Sequence, residues 1–353
     1  MADDWHVDFP TLGDLIDAWV EHHCVVPDRF DRGKPLRFSD WQFWCTANHY
    51  RIREDAVWRP ERPMLATAFT YRRSQIVGPQ KTGKGPFSAA VTSVEAVGPA
   101  LFGGWARRGD VYRCDENGCD CGWYFEYEPG EPMGIRHPSP LIQLTANSED
   151  QVDNVYKPLK AMIKLGPLSE LLLIRENFIR IIGEAGDDDM DRIDVVTSSA
   201  QSRLGNPISF ANQDESGTYT VQNKMVNTAE TQRRGAAGMG GRTMETTNAW
   251  DPSTNSTAQR TFESTAEDVF KFYRKPPANL SFENKGERRK ILEYVYKGSP
   301  WVDLDAVEAE AAELMLTDPA QAKRFFGNML VQGGGAWIKD GVWEGAWAGE
   351  LAS

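Results

Sequence analysis

Apolar positions along the first two thirds of the chain fall into short runs that alternate with stretches where they recur every three or four residues, a pattern of strands interleaved with helices. Residues 74–77 run straight into a glycine-rich loop and then a helix-compatible stretch at 87–97, which is strand, loop and helix in the order a phosphate site needs. Residues 140–144 read as another strand. A helix opens at Ser148, with Gln151 three residues on, as a capping box would place it. Its Val152, Val155, Tyr156, Leu159, Met162 and Ile163 form one apolar face. Segments 178–182 and 193–196 bracket Asp187-Asp188-Asp189 and predict a hairpin with a solvated acidic turn. Further strands are expected at 207–211 and 242–248, the second ending in polar residues. From about Glu287 the chain reads as helical, with Asp303 and then Asp318-Pro319 as caps. The alternation predicts an α/β fold with a mainly parallel sheet flanked by helices, plus a small helical lid subdomain. Glycine clusters at 235–241 and 333–335 read as a mobile loop and a hinge.

At 353 residues the chain can bury one substantial core and carry an appendage. The expected division is an N-terminal helical segment at 1–60, a core at 61–286, the lid at 287–335 and the start of a linker at 336–353. No apolar run approaches the roughly 18 residues of a membrane helix, so no membrane partner is expected. The N-terminus carries acids where a secretory signal carries basic residues, which points to the cytoplasm. Five cysteines, an odd number in a long chain, read as reduced thiols. A net charge of -12 excludes a surface coated for DNA, so any nucleic-acid contact is local. Arg233, Arg234, Arg242 and Lys224 are either a small basic surface or a solvated helix face.

The strongest chemical signal is Gly78-Pro79-Gln80-Lys81-Thr82-Gly83-Lys84-Gly85-Pro86, a P-loop in all but one residue. Its glycines let the backbone fold tightly so that N–H groups point at phosphate oxygens, and Lys84 neutralises the β- and γ-phosphates of ATP. Gly85 stands where a Ser or Thr hydroxyl normally binds Mg2+, and Ser88 or a water is the expected substitute. Asp214-Glu215 comes after a strand-like segment at a separation that fits intervening βα units. Asp214 is the expected Mg2+ ligand and Glu215 the general base that polarises the attacking water.

With these motifs in hand, the sequence resembles the large terminase subunit of tailed double-stranded DNA phages, collinearly from Phe38 to Trp337. The resemblance implies a P-loop NTPase of the RecA/ASCE type. Ser39-Asp40-Trp41-Gln42 is similar to the family's adenine-recognition segment, which gives Gln42 the base edge and Trp41 a packing role. Residues 144–148 with Gln151 resemble the strand and helix that come after the P-loop, and 198–200 with Arg203 and Gly205 the stretch before the acidic pair. Thr246-Thr247-Asn248-Ala249 looks like the coupling motif, with Thr247 and Asn248 as sensors of the γ-phosphate. Lys81 fits the family's basic residue inside the P-loop. Arg203 is a candidate arginine finger reaching a neighbouring subunit, or a surface arginine in a structural salt bridge.

The implied activity is ATP hydrolysis coupled to translocation of double-stranded DNA into a procapsid, in the host cytoplasm. Implied partners are like subunits in a pentameric ring, the portal protein and the small terminase subunit. Two features fit the family less well. Cys114, Cys119 and Cys121 could ligate zinc, but only three cluster, the spacing is not a paired C-x-x-C, and His22-His23-Cys24 are adjacent and distant; an insertion loop is the expected reading. No room remains for the family's C-terminal nuclease, so nuclease activity is not expected. Alternatives are a helicase-type translocase, whose second RecA-like lobe has no counterpart in the short, helical 255–353, and a non-catalytic DNA- or partner-binding module.

Overall fold

The computed structural model describes residues 5–63, 65–176, 178–182, 190–197 and 206–333, with the backbone alone at 149–152. Two short helices come first, α1 (Gly13–His23) and α2 (Asp40–His49), and then β1 (Arg73–Val77), whose end turns through the P-loop into α3 (Lys84–Val97). Strand β1 is buried from Ser74 to Val77 because both of its faces are covered, as in parallel sheets generally. The segment read as an insertion loop is folded: β2 (Leu101–Trp105) pairs antiparallel with a later strand and encloses the hairpin of β3 (Val111–Arg113) and β4 (Tyr124–Glu126), before β5 (Pro132–Ile135) closes the pair with β2.

The chain then re-enters the main sheet through β6 (Leu141–Thr145), α4 (Glu149–Leu165), β7 (Leu172–Ile174), β8 (Phe178–Ile181), β9 (Arg192–Val196) and β10 (Phe210–Asp214). It continues with α5 (Met225–Gly238), β11 (Arg242–Thr247), α6 (Thr257–Glu263) and β12 (Val269–Tyr273). The sheet order is β12-β1-β11-β10-β6-β9-β8-β7. The run from β12 to β9 is parallel, and β8 and β7 extend the β9 edge antiparallel. The expected hairpin is present, with Phe178 opposite Asp194; its acidic turn lies outside the described residues. The glycine stretch read as a mobile loop is corrected: α5 continues to Gly238, because Gly235 lets the helix approach the Asn206 carbonyl, to which a Cβ would come within 3.1 Å.

One face of the sheet buries the large apolar cluster, where Val155, Leu159, Met162 and Ile163 of α4 join Trp19 of α1 and Phe87 of α3. The other face, under α5 and α6, is polar. Gln75, Glu245 and Gln213 lie side by side across β1, β11 and β10. They bond across elements: Gln75 donates to Glu245 at 3.3 Å, Gln213 donates to Gln232 at 3.0 Å, and Glu245 accepts from Thr261 at 2.6 Å and Ser216 at 3.1 Å. Such groups stay buried only when bonded, so this network specifies how α5 and α6 dock.

Helices α7 (Lys285–Val295), α8 (Leu304–Thr317) and α9 (Pro319–Phe325) gather a separate cluster around Phe282, Leu292 and Ala322. Asp303 caps α8 by accepting from the Asp305 and Ala306 N–H groups, and Asp318 caps α9 by accepting from Gln321, with Pro319 in the first turn. Among the described residues no helix is long and apolar enough to cross a membrane.

Candidate active site

Three adjacent parallel strands, β1, β11 and β10, end side by side, and the segments leaving their carboxyl ends carry the site. Ligands of open α/β sheets bind at such carboxyl ends. After β1, the loop uses left-handed backbone at Lys81 (φ 67) and Gly83 (φ 96) to turn sharply into α3. Two loop N–H groups are already engaged, Gly78 to the Thr247 carbonyl and Gln80 to the Phe325 carbonyl. Among the described residues those of Lys81, Thr82 and Gly83 donate to no other group, and they precede a helix N-terminus, the arrangement that binds an anion. Pro86 has no N–H and contributes shape alone.

Lys84 is 7% exposed, and its ammonium donates to the Gly78 and Pro79 carbonyls and to Asn248 Oδ1, each at 2.8 Å. Burial lowers its pKa, and the carboxylates of Glu215 and Asp214 work against that shift. Asn248 faces two ways: its Nδ2 donates to Glu215 Oε2 at 3.3 Å while its Oδ1 takes the lysine. Glu215 itself has φ 54, a left-handed conformation that a non-glycine residue adopts only where its surroundings hold it. Asp214, 4% exposed, accepts from Thr246 Oγ1 at 2.6 Å. Burial and the adjacent Glu215 push its carboxyl up to about 7, against the pull of Thr246 and Lys84. Thr247 Oγ1 accepts from the Gly217 N–H at 3.0 Å and so ties β11 to the loop after the acidic pair.

Gly85 has a packing reason to lack a side chain: a Cβ there would lie 2.3 Å from the Asn154 carbonyl oxygen of α4. The hydroxyl one turn on, Ser88 Oγ, is buried with no hydrogen-bond partner among the described residues. The lid reaches the loop through Ser299 Oγ, which donates to the Thr82 carbonyl at 3.2 Å, and Trp301 Nε1, which donates to the Lys81 carbonyl at 3.3 Å. Beside these contacts lies a cavity of about 540 Å³ lined by Ser39, Asp40, Tyr296, Lys297 and Gly298 among others.

Trp41 and Gln42 do not line that cavity. Both are 4% exposed: Trp41 packs between Phe87 and Phe272, and Gln42 Oε1 accepts from the Ser39 N–H at 3.0 Å, as the third residue of a capping box for α2. The sequence motif S-x-x-Q carries that capping signal as plainly as the one at Ser148. Arg203 lies outside the described residues, and with it the stretch 198–205. Of the residues considered as a basic surface, Arg242 is not available: it is 2% exposed, bonds Glu95 at 2.7 Å and the His49 carbonyl at 2.6 Å, and stacks on Phe69. Burial raises Glu95, and Arg242, His49 and Tyr50 more than reverse that, so its pKa ends below the usual value. Arg72, Arg73, Arg233 and Arg234 line a second cavity of about 400 Å³ at the opposite ends of β1 and β11.

No family model matches the chain. The gene 13 protein of Mycobacterium phage D29 is 27% identical over 280 residues, which is 73% of this chain and 42% of that protein. The large terminase of bacteriophage HK97 superposes with a TM-score of 0.61 at 15% identity, over 91% of this chain and 55% of that one. The ATPase domain of the Thermus phage P74-26 large terminase gives a looser likeness, TM-score 0.40 at 12% identity over 77% of this chain and 94% of that one. The chain thus spans about half the length of the HK97 protein and less than half of the D29 protein. In fold, a mainly parallel sheet flanked by helices, this chain resembles the large terminase of bacteriophage HK97.

Proposed function

We propose that this chain hydrolyses ATP and is the motor part of a viral DNA-packaging terminase, coupling the cycle to translocation of double-stranded DNA. The observation that carries the reading is the bridge Lys84–Asn248–Glu215, which joins a phosphate-binding loop to a carboxylate through one amide. A nucleotide triphosphate fits the unengaged N–H groups of the loop and the buried ammonium. A magnesium ion fits the buried Asp214 carboxyl and the unpartnered Ser88 hydroxyl, which takes the place of the hydroxyl missing at Gly85. When bound, the metal supplies charge neutralisation at the transferred phosphoryl group.

The chain's own residues do the remainder. Lys84 binds and neutralises phosphate charge. Glu215 takes a proton from the attacking water, held in place by Asn248. Thr247 and Asn248 transmit the state of the site to the loop after the acidic pair and, through the Gly78 N–H, to the P-loop. The cavity beside Ser299 and Trp301 is wide enough for a base, and its closeness to Ser39 and Asp40 supports an adenine-binding role for that segment. The helices α7 to α9 act as a lid on the loop. A ring of like subunits, the portal protein and the small terminase subunit are the assembly this reading implies.

The test is nucleotide binding and turnover with purified chain, with and without duplex DNA. Lys84→Ala should lose ATP binding and hydrolysis together. Glu215→Gln should bind ATP normally and turn over about 10² to 10⁴ times more slowly, the range for removing a positioned base. A Glu215→Gln variant as fast as the wild type sinks the assignment of the base.

A further inference from the structure

The three cysteines of the insert do not lack a fourth partner. Helix α1 ends on His23, and the fold lays the β3–β4 connection against that end, so that His23, Cys114, Cys119 and Cys121 bring their donor atoms within 4.8 Å of one another. The histidine and the first cysteine are 91 positions apart in sequence. The neighbouring histidine takes no part, since the exposed His22 stacks on Trp123 instead. That removes the objection that adjacent ligands crowd one tetrahedron.

Distances, donor chemistry and orientation agree. His23 Nε2 lies 3.4 Å from Cys114 Sγ, 3.7 Å from Cys119 Sγ and 3.4 Å from Cys121 Sγ. Zinc bonds of about 2.3 Å to sulfur and about 2.05 Å to nitrogen, at a tetrahedral angle, set that separation at about 3.6 Å. The imidazole is turned for the purpose: His23 Nδ1 lies 2.9 Å from the Trp19 carbonyl, which fixes the proton on Nδ1 and leaves the Nε2 lone pair facing the sulfurs. The cysteine loop is curled by left-handed Gly118 (φ 77) and Gly122 (φ 76) and closed by a 2.9 Å bond from the Cys119 N–H to the Cys114 carbonyl. Three thiolates and an imidazole suit a borderline-soft ion and disfavour magnesium or calcium.

We propose that His23, Cys114, Cys119 and Cys121 bind one zinc ion in a closed, four-ligand structural site that staples α1 to the β3–β4 insert. Four protein donors leave no open position, and His23, Cys114 and Cys119 are buried, so the site is structural and not hydrolytic. The staple bears on the nucleotide site through Trp19, which stacks on the His23 ring at 4.3 Å and packs against Gly98 at the end of α3. The metal thereby holds α1 against the far end of the helix that the P-loop begins.

The experiment uses the whole chain, purified under reducing conditions without chelator from zinc-supplemented medium. Elemental analysis should give one zinc per chain, X-ray absorption should give three sulfur and one nitrogen neighbours, and cobalt exchanged into the site should show tetrahedral ligand-field bands with thiolate charge transfer. Cys121→Ser, at the half-exposed ligand, should lose the metal and melt at the lower temperature of chelator-treated wild type, whereas Asp120→Asn should keep both. If Cys121→Ser does not fold, the wild-type measurements decide. Substoichiometric zinc after reconstitution, iron in its place, a shell of nitrogen and oxygen, or a disulfide among the three cysteines would overturn the proposal.

Discussion

Gly85 shows how one position can be governed by packing and chemistry at once. Its missing hydroxyl looks like decay of a magnesium site, yet a Cβ would meet the Asn154 carbonyl at 2.3 Å, and a backbone atom of α4 cannot step aside as a flexible side chain could. Gly85→Ser is therefore expected to destabilise the protein by about 1 to 3 kcal/mol, the usual range for overpacking, rather than to improve the site. A thermal melt and a magnesium titration of ATPase rate check this: a variant that melts like wild type and needs less magnesium would show that α4 yields there. Gln42 teaches the converse. A glutamine whose neighbours resemble an adenine-recognition segment also occupies the third position of a capping box, and its oxygen serves the backbone at Ser39.

At the scale of elements, the caps and the strand expected at 242–248 were legible, and the side-chain network that holds that strand was not. Asp303 and Asp318-Pro319 announce α8 and α9 because a capping carboxylate acts within three residues, a distance the sequence states outright. Asp303→Ala should cost about 1 kcal/mol of lid stability. Hydrogen exchange of α8 amides measures it, and unchanged protection would show that the lid helices owe their stability to their own apolar cluster alone. Strand β11 lies where it was expected, yet all six of its residues are buried and five are polar or charged. Apolar periodicity finds a strand by its hydrophobic face, whereas here the sheet face under α5 and α6 is held by Gln75, Gln213, Gln232 and Glu245 bonding across elements. The expected loop at 235–241 is helical as far as Gly238, since a helix that needs a small residue for close approach looks in sequence like a helix that is broken.

Across the whole molecule, the site gathers its groups from the carboxyl ends of the interior strands β1, β11 and β10, and Lys84 and Glu215 meet there through Asn248. The reading of Arg203 as an arginine finger makes a prediction at this scale. If it completes the nucleotide site of a neighbouring subunit, turnover per chain rises with protein concentration, and Arg203→Ala binds ATP but barely hydrolyses it. Mixing Arg203→Ala with Glu215→Gln should then restore activity above the sum of the two, because some interfaces pair an intact finger with an intact base. Kinetics of co-assembled mixtures at several ratios test this, and failure of every ratio returns Arg203 to a structural salt bridge.

The sequence by itself determined whatever acts over short separations: the order of strand, glycine loop and helix, the caps, the acidic pair at the end of its strand, and the α/β alternation that implies a parallel sheet. Each depends on neighbours within a few residues, where backbone geometry fixes who can touch whom. Tertiary structure alone decided which distant groups meet. It buried Arg242 against Glu95 and so removed it from the basic surface, set α4 against Gly85, and brought His23 to three cysteines 91 or more positions away. The last case is the clearest, because a tetrahedral ligand set is a statement about four points in space, and the spacing of three cysteines contains no information about which turn of which helix will arrive beside them.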